Sequence, residues 1–455
     1  MRQHRLPNSY TSSFQLHELL MQSHDLPAEV LAGFARWGLC FLVIQFDVDI
    51  GPDLKLMRPS IQFSEDDFRT ICFSSLPERP AAAAASAAVR HNNFFFHNFR
   101  FRAHTLGNQL VHGACLFTQQ RDPLNVRGFV QESLVLLSFH DYAHSLFKAC
   151  LSSVVGHENF TACPLDQKIP CIDNAIANMA QWPAPNPALG PLSLPFLGSV
   201  YTFSFHNNNN NDDDDDDSEN PVFYSHQPFD SWPHLVTLLQ HTTYPVTETL
   251  YLAYEHLLLE RPVAVYASAP HLCTGLISCL TTLLAPLRYQ DRVREYVTIQ
   301  SIPEPFEQGL LGTTNPLVLD NVENALTIVL HQPTLATKPS FSRFFAQQRS
   351  SSLEMSNSLA SRIKTTNKLH FKNRLLNPQS KLSPTDIHLH FSSLTSKLLG
   401  PLAPFMSSTT PFDPNKFLSS LDSLSLPSDI FNSKSALYDF YNTFLQTQNF
   451  KSLCN

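Results

Sequence analysis

Four short stretches of the 455-residue chain carry residue types that could do chemistry. Gly309-Leu-Leu-Gly-Thr-Thr314 has the glycines and hydroxyls of a phosphate loop. A Walker A loop needs G-x-x-x-x-G-K-[ST], so that backbone amides and a lysine hold the phosphates. Here the lysine and the spacing are missing, and G-x-G-x-x-G occurs nowhere, so nucleotide binding through either motif is excluded. Asp47-Val-Asp-Ile-Gly-Pro-Asp53 begins like a calcium loop. Gly51 replaces its third acid, Pro52 sits where the turn glycine belongs, and Arg58 takes the closing glutamate position. The better account is a strand-end turn with exposed acids.

None of the 20 His falls in H-E-x-x-H or pairs with C-x-x-C at zinc spacing. Ser138, His140 and Asp141 have triad types, but their adjacency proves no triad and G-x-S-x-G is absent. The acids Asp66-Asp67 after Ser64-Glu65 read as the first turn of a helix, where they suit the dipole. Catalytic residues, cofactor and metal are all expected to be none.

The elements that would hold these stretches divide the chain. Gly38–Phe46 is a near-continuous apolar run that suits a buried central strand. Ile71–Leu76, Phe99–His104, Val111–Thr118 and Phe129–Phe139 are further strand candidates, and Asp141 caps a helix to about Val155. The Pro-rich stretch Trp182–Pro195 reads as the boundary between two bodies. Beyond it come a strand at Val200–Phe205, helices at Phe229–Gln240 and Thr247–Glu260, and a strand at Val263–Ser268. A helix at His271–Leu287, a strand at Tyr296–Gln300, the loop Gly312–Leu319 and a strand or short helix at Val322–Leu330 follow. Strand, helix, strand at this spacing is a parallel α/β unit. Short helices fill the chain from Asp386.

Composition narrows the class. A net charge of −8 argues against nucleic-acid binding, and Asp212–Asp217 supply six of the acids. Phe outnumbers Gly by 35 to 13, which favours packed aromatic cores over glycine-rich loops. Nine Cys without C-x-x-C read as reduced thiols, with Cys163 and Cys171 the one pair able to close a small loop. Ala81–Ala88 and the Asn/Asp run 207–217 read as loop insertions, and the basic stretch 338–381 as disordered or as a weak contact for anionic membrane. Residues 1–20 lack a signal-peptide apolar core, and no run reaches the roughly 18 apolar residues that span a bilayer. A cytoplasmic protein is expected.

Taken in order, the motifs resemble the DENN-domain proteins, and most closely the DENN domain-containing protein 6 subfamily. The matching segments are Trp37–Gly51, Leu54–Pro59, Ile71-Cys-Phe73, Arg127–Ser138 and Gln181–Pro185. Pro262–Ser268, Pro286–Tyr289, Tyr296–Ile299, Gly312–Pro316, Leu335–Pro339 and Tyr438–Phe450 continue the series. The resemblance implies a bilobed DENN module, α/β or α+β overall. A longin-like lobe would span 34–157 after an N-terminal extension 1–33, with 158–193 as connector. An α/β lobe at 194–335, the insert 336–385 and helices at 386–455 would complete it.

The resemblance also implies a guanine nucleotide exchange factor for a Rab-type GTPase, peripherally recruited to recycling endosomes. Such a factor needs no cofactor of its own. Asp47, Asp49, Tyr251, Tyr254, Glu255, Asn315 and Pro316 are the expected GTPase contacts, on the premise that they are exposed; Tyr254 reads equally as core. A non-catalytic Rab-binding scaffold and an α/β hydrolase or transferase are the competing readings, and the last predicts a polar catalytic cluster.

Overall fold

A computed structural model describes residues 26–78, 93–123, 125–156, 160–205, 222–224, 232–239, 245–289, 292–301, 309–322, 325–330, 384–406, 412–421, 431 and 433–454. They fall into two compact units, Met1–Gln227 and Pro228–Asn455, and the whole is mixed α/β. The Ala run 81–88, the Asn/Asp run 207–217 and the basic stretch 338–381 lie outside the described residues.

The first unit is built on a five-stranded antiparallel sheet. Its order is β2 (Gly51–Arg58), β1 (Cys40–Asp47), β5 (Phe129–Ser138), β4 (Gln109–Arg121) and β3 (Asn93–Ala103). Consecutive residues Cys40–Ile44 are all buried because helices cover both faces. Helix α2 (Glu65–Ser75) covers one: the Ser133 hydroxyl and the Cys115 thiol both donate to the Ser75 carbonyl. Helix α4 (Leu165–Ala180) covers the other, where Lys168 meets Glu132. Neighbouring residues on a strand point to opposite faces, so Glu132 and Ser133 fix the two helices on opposite sides. Helices α1 (Ala28–Phe34) and α3 (His144–Gly156) complete the layers.

Two expectations change here. Of the expected strand Ile71–Leu76, residues 71–75 are helix and Leu76 is its extended C-cap. Ser64 caps the helix, its hydroxyl accepting from the Asp67 amide at 3.1 Å while the Asp67 carboxylate accepts from the Ser64 amide at 3.3 Å. That reciprocal cap starts a helix whatever the β propensity of Ile71. The connector 158–193 contains helix α4, and the division between units falls later, after Gln227. Trp182 explains why. It is fully buried, its indole donates to the Pro195 carbonyl at 2.8 Å, and it meets Trp37 edge-on at 5.5 Å. The prolines therefore lay this segment into the first unit, where a small sheet, β6 (Leu192–Phe196), β7 (Ser199–Ser204) and β8 (Val222–Tyr224), follows.

The second unit contains α5 (Trp232–Leu239), α6 (Val246–Leu258), β9 (Val263–Ala267), α7 (Pro270–Thr282), β10 (Val293–Arg294), β11 (Leu310–Thr313), α8 (Pro316–Leu319) and β12 (Leu326–Leu330). The sheet is parallel, in the order β10-β11-β9-β12. Its strands differ from the expected ones. Tyr296–Gln300 lies beyond β10, and the expected loop at Gly312 is the end of the inner strand β11. A Cβ on Gly312 would stand 2.4 Å from the Glu295 carbonyl oxygen and 2.8 Å from Cys273 Cβ, so the glycine serves close packing against α7.

The C-terminal helices α9 (Pro384–Leu399), α10 (Ala403–Met406), α11 (Pro414–Ser420), α12 (Lys434–Phe444) and α13 (Gln448–Cys454) belong to the same core. Phe391, Phe417, Tyr441 and Phe450 are buried in one cluster with Leu250, Val265 and Leu276. Helices α6 and α13 cap each other. The Glu260 carboxylate accepts from the amides of Gln448 and Asn449 at 2.9 and 2.6 Å, and the buried Asn449 amide donates to the carbonyls of Leu257 and Leu258. Glu260 holds a left-handed φ of 55° to reach them.

None of the nine cysteines is joined in a disulfide, so Cys163 and Cys171 do not close a loop. Among the described residues, no helix is long and apolar enough to cross a membrane. Replacing Glu260 by Ala removes the N-terminal acceptors of α13, and should lower the unfolding free energy of the second unit by about 1–2 kcal/mol. Glu260→Gln, which retains one acceptor oxygen, should lose less; equal denaturant midpoints for all three proteins would contradict the reciprocal cap.

Candidate functional site

Asp47 and Asp49 lie where the expectation puts them, in the tight turn between β1 and β2. Asp47 pairs with Gly51, so Val48, Asp49 and Ile50 form the tip. The Asp47 carboxylate folds back to accept from the amides of Asp49 and Ile50 at 2.9 and 3.3 Å. Gly51 closes the turn at φ 87°, which a side chain would resist. These bonds, from Asp49 first and then Ile50, hold the Asp47 carboxyl below its usual range, with a smaller pull from Lys55. The tip is thus charged at neutral pH and has one fixed shape. It displays Val48 and Ile50, 55% and 68% exposed.

Three contacts brace this tip from below. The Arg127 guanidinium, from the β4–β5 turn, sits 4.3 Å from the centre of the Phe46 ring and 5.0 Å from that of Phe129. Gln45, two residues before the turn, donates to Glu132 at 2.7 Å. Glu132 in turn binds Lys168 through both carboxylate oxygens, and the ammonium also stands 5.0 Å from the Phe160 ring centre. The pair is 5% and 1% exposed. The sequence reading missed it. The one signal was the Glu in the strand candidate Phe129–Phe139, whose partner lay in a segment read as connector.

Tyr251, Tyr254 and Glu255 lie on α6 in the second unit and are not exposed. Their accessibilities are 1%, 0% and 2%. Helix α9 covers this face: the Tyr251 hydroxyl meets His390 Nε2 at 2.7 Å, that of Tyr254 meets Thr395 Oγ1 at 2.9 Å, and both rings pack on Phe391. Burial pushes both phenols well above their usual range. Glu255 accepts from Arg261 at 3.4 Å. Aromatics at helical spacing have packed inward, and the expectation of an exposed face here is corrected.

Burial also pulls the neighbouring His256 imidazole down to about 4, with a smaller push from Arg261 and against its Nδ1 bond to the Pro262 carbonyl. Asn315 and Pro316 start α8, the Asn315 side chain accepting from the Leu317 amide at 3.0 Å. Leu317 is 56% exposed beside them.

The groups tested for covalent chemistry are otherwise engaged. The Ser138 hydroxyl donates to the Trp37 carbonyl at 2.6 Å, and His140 Nε2 donates to the Arg36 carbonyl at 2.8 Å. Burial lowers the His140 pKa. Ser138 therefore donates to a backbone carbonyl and not to the His140 ring. Among the described residues no group of three or more His, Cys, Asp or Glu is placed to hold a metal ion.

No family model matches the chain. Curated proteins are nonetheless similar to it. Protein DENND6B of Homo sapiens is 26% identical over 428 residues, covering 85% of this chain and 70% of that protein. Protein DENND6B of Mus musculus is 26% identical over 436 residues, covering 84% and 70%. Protein DENND6 homolog of Dictyostelium discoideum is 24% identical over 306 residues, covering 58% and 40%.

Lys168→Met leaves Glu132 buried without its partner and should cost the first unit about 3–5 kcal/mol. Lys168→Met with Glu132→Leu should recover most of that loss; a single variant as stable as wild type would show that the pair anchors nothing. His256 gives a pH test. The unfolded chain takes up its proton below about 6.5 and the folded chain only below about 4. Stability should therefore be full above pH 6.5, fall by about 3 kcal/mol as pH drops to 4, and then level off. His256→Asn should flatten the pH dependence of the second unit's unfolding, and an unchanged slope would contradict the assignment.

Proposed function

We propose that this chain, a relative of the DENND6 subfamily of DENN-domain proteins, is a guanine nucleotide exchange factor for a Rab-type small GTPase. The observation that carries the reading is similarity to DENND6B along 85% of the chain. DENN-domain proteins generally act in this way, and the subfamily is associated with endosomal recycling, which is the proposed setting. Recruitment to that membrane would be peripheral, with the basic stretch 338–381 as the proposed contact for anionic lipid.

Exchange makes and breaks no covalent bond, so it asks for a shaped surface rather than a nucleophile. The GTPase holds GDP and Mg²⁺ through its phosphate loop and switch segments, and Mg²⁺ tolerates little departure from octahedral geometry. A partner that binds the opened switches more tightly must weaken nucleotide binding by the same factor. That partner must be rigid, because a surface that yields spends its differential affinity on its own deformation.

The braced β1–β2 turn meets this requirement. Asp47 and Asp49 are the proposed contacts in the first unit, and Asn315 and Pro316 in the second. Tyr251 and Tyr254 act from inside, by holding α6 against α9, and Glu255 by binding Arg261 beyond the end of α6.

Release of fluorescent GDP from a panel of Rab GTPases tests the proposal. At least one member should lose nucleotide severalfold faster or more with the protein present, and a typical coupling free energy should weaken its nucleotide affinity about 5- to 150-fold. Binding to a Rab without any acceleration across the panel would instead establish a scaffold.

A further inference from the structure

Two hairpins run past the end of the ladder they share. Strands β1 and β5 pair from Cys40–Leu137 to Gln45–Glu132 and, among the described residues, no further. Beyond that rung β1 continues with β2 alone, through Phe46–Pro52 and Asp47–Gly51. On the other side β5 continues with β4 alone, from Gln119–Gln131 to Arg121–Phe129. The β1–β2 turn therefore stands on a two-stranded overhang, and β2 is an edge of the sheet. Two strands on their own are marginally stable, and the register shift between Val43 and Ile44 bends this pair further. The overhang must be fixed from outside if its turn is to present one surface.

Arg127 closes the gap between the overhangs. Its guanidinium lies 4.3 Å from the Phe46 ring centre and 5.0 Å from that of Phe129, one ring from each hairpin. Strand alternation puts both rings on the α2 face: Phe46 stands two residues after Ile44, the partner of Ser133, and Phe129 four residues before Ser133. The backbone of Arg127 is held by its own turn. Asn125 Oδ1 accepts from the Arg127 amide at 3.0 Å, and the Gly128 amide donates to the Asn125 carbonyl at 2.8 Å. The Asp122 amide then donates to the Gly128 carbonyl at 3.0 Å. Arg127 is exposed, so its contact with the rings adds little to the stability of the whole unit. Its effect is local, favouring the clamped turn about two- to fivefold over a released one.

We infer that Arg127 is a positioning residue for nucleotide exchange, holding the β1–β2 turn in the orientation in which Asp47 and Asp49 meet the GTPase. The inference rests on the exchange-factor reading. A partner that accepts only the clamped turn binds more weakly as that turn becomes less populated, so the loss falls on KM and spares kcat. A planar guanidinium stacks on both rings, and a lysine ammonium does not.

The test uses the full chain and the Rab GTPase whose fluorescent GDP it releases fastest. Arg127→Met should raise the KM for that GTPase about two- to fivefold at unchanged kcat. Hydrogen exchange at the amides of residues 46–51, read by NMR in the free protein, should quicken by about the same factor, with the denaturant midpoint near that of wild type. Phe46→Leu removes one ring, and adding Arg127→Met to it should cost less than Arg127→Met costs alone. Arg127→Lys should resemble Arg127→Met, and a lysine variant with wild-type kinetics would overturn the stacked clamp.

Wild-type KM and wild-type amide exchange in Arg127→Met overturn the positioning role and leave the exchange reading standing. Faster amides with KM unchanged overturn it too, because the GTPase then does not need the turn fixed. A raised KM without faster amides makes Arg127 a direct contact instead, and also overturns it. A wild-type chain that accelerates no GTPase overturns both readings.

Discussion

One buried ion pair, Glu132 with Lys168, underlies the arrangement of the first unit. Removing two charges from water costs several kcal/mol per ion, and the cost is offset only where geometry is good and the remaining lone pairs are satisfied. Here both carboxylate oxygens bind the ammonium, and one also accepts from Gln45. The arrangement commits α4 to one position on the sheet, since any slip would leave a buried charge alone. It also stiffens the strands two residues below the β1–β2 turn. Arg127 does the same from the side, spread over the two aromatic rings that flank it. A turn proposed to hold a mobile partner in one conformation gains from such bracing.

The second unit depends on burial rather than charge. Its short parallel strands cannot be stable alone, and helices far away in the chain supply what they lack. Phe391 packs against both tyrosines of α6, and the Tyr441 hydroxyl donates to the Leu398 carbonyl. Glu260 and Asn449 then fasten the last helix to the end of α6. Residues that looked like an exposed tyrosine face are in fact the seam between two parts of one core.

Much of this was legible in the sequence. The apolar run at Gly38–Phe46 marked β1 because a strand covered on both faces loses its alternation. The acids at 47 and 49 marked a turn because they failed the spacing of a calcium loop, and Val263–Ser268 marked a parallel strand. What was missed depended on partners distant in sequence. Ile71 favours a strand locally, but a Ser64–Asp67 cap overrode it. Trp182 sat among prolines that look like a linker, and only its bond to Pro195 and its contact with Trp37 make that segment core. Gly312 read as a loop residue until α7 was seen to press against it. The inward turn of Tyr251 and Tyr254 followed from α9, which begins 126 residues beyond the end of α6 (384 − 258).

The proposed exchange factor binds a small GTPase by selecting its opened, nucleotide-free form. The most direct measurement compares the affinity of the full chain for one Rab in its nucleotide-free and GDP-bound states. Tighter binding of the nucleotide-free form, with the complex dissociating when GDP and Mg²⁺ are added, is the predicted result. Equal affinity for the two forms would contradict the account, because a partner that does not distinguish the states cannot shift the equilibrium between them.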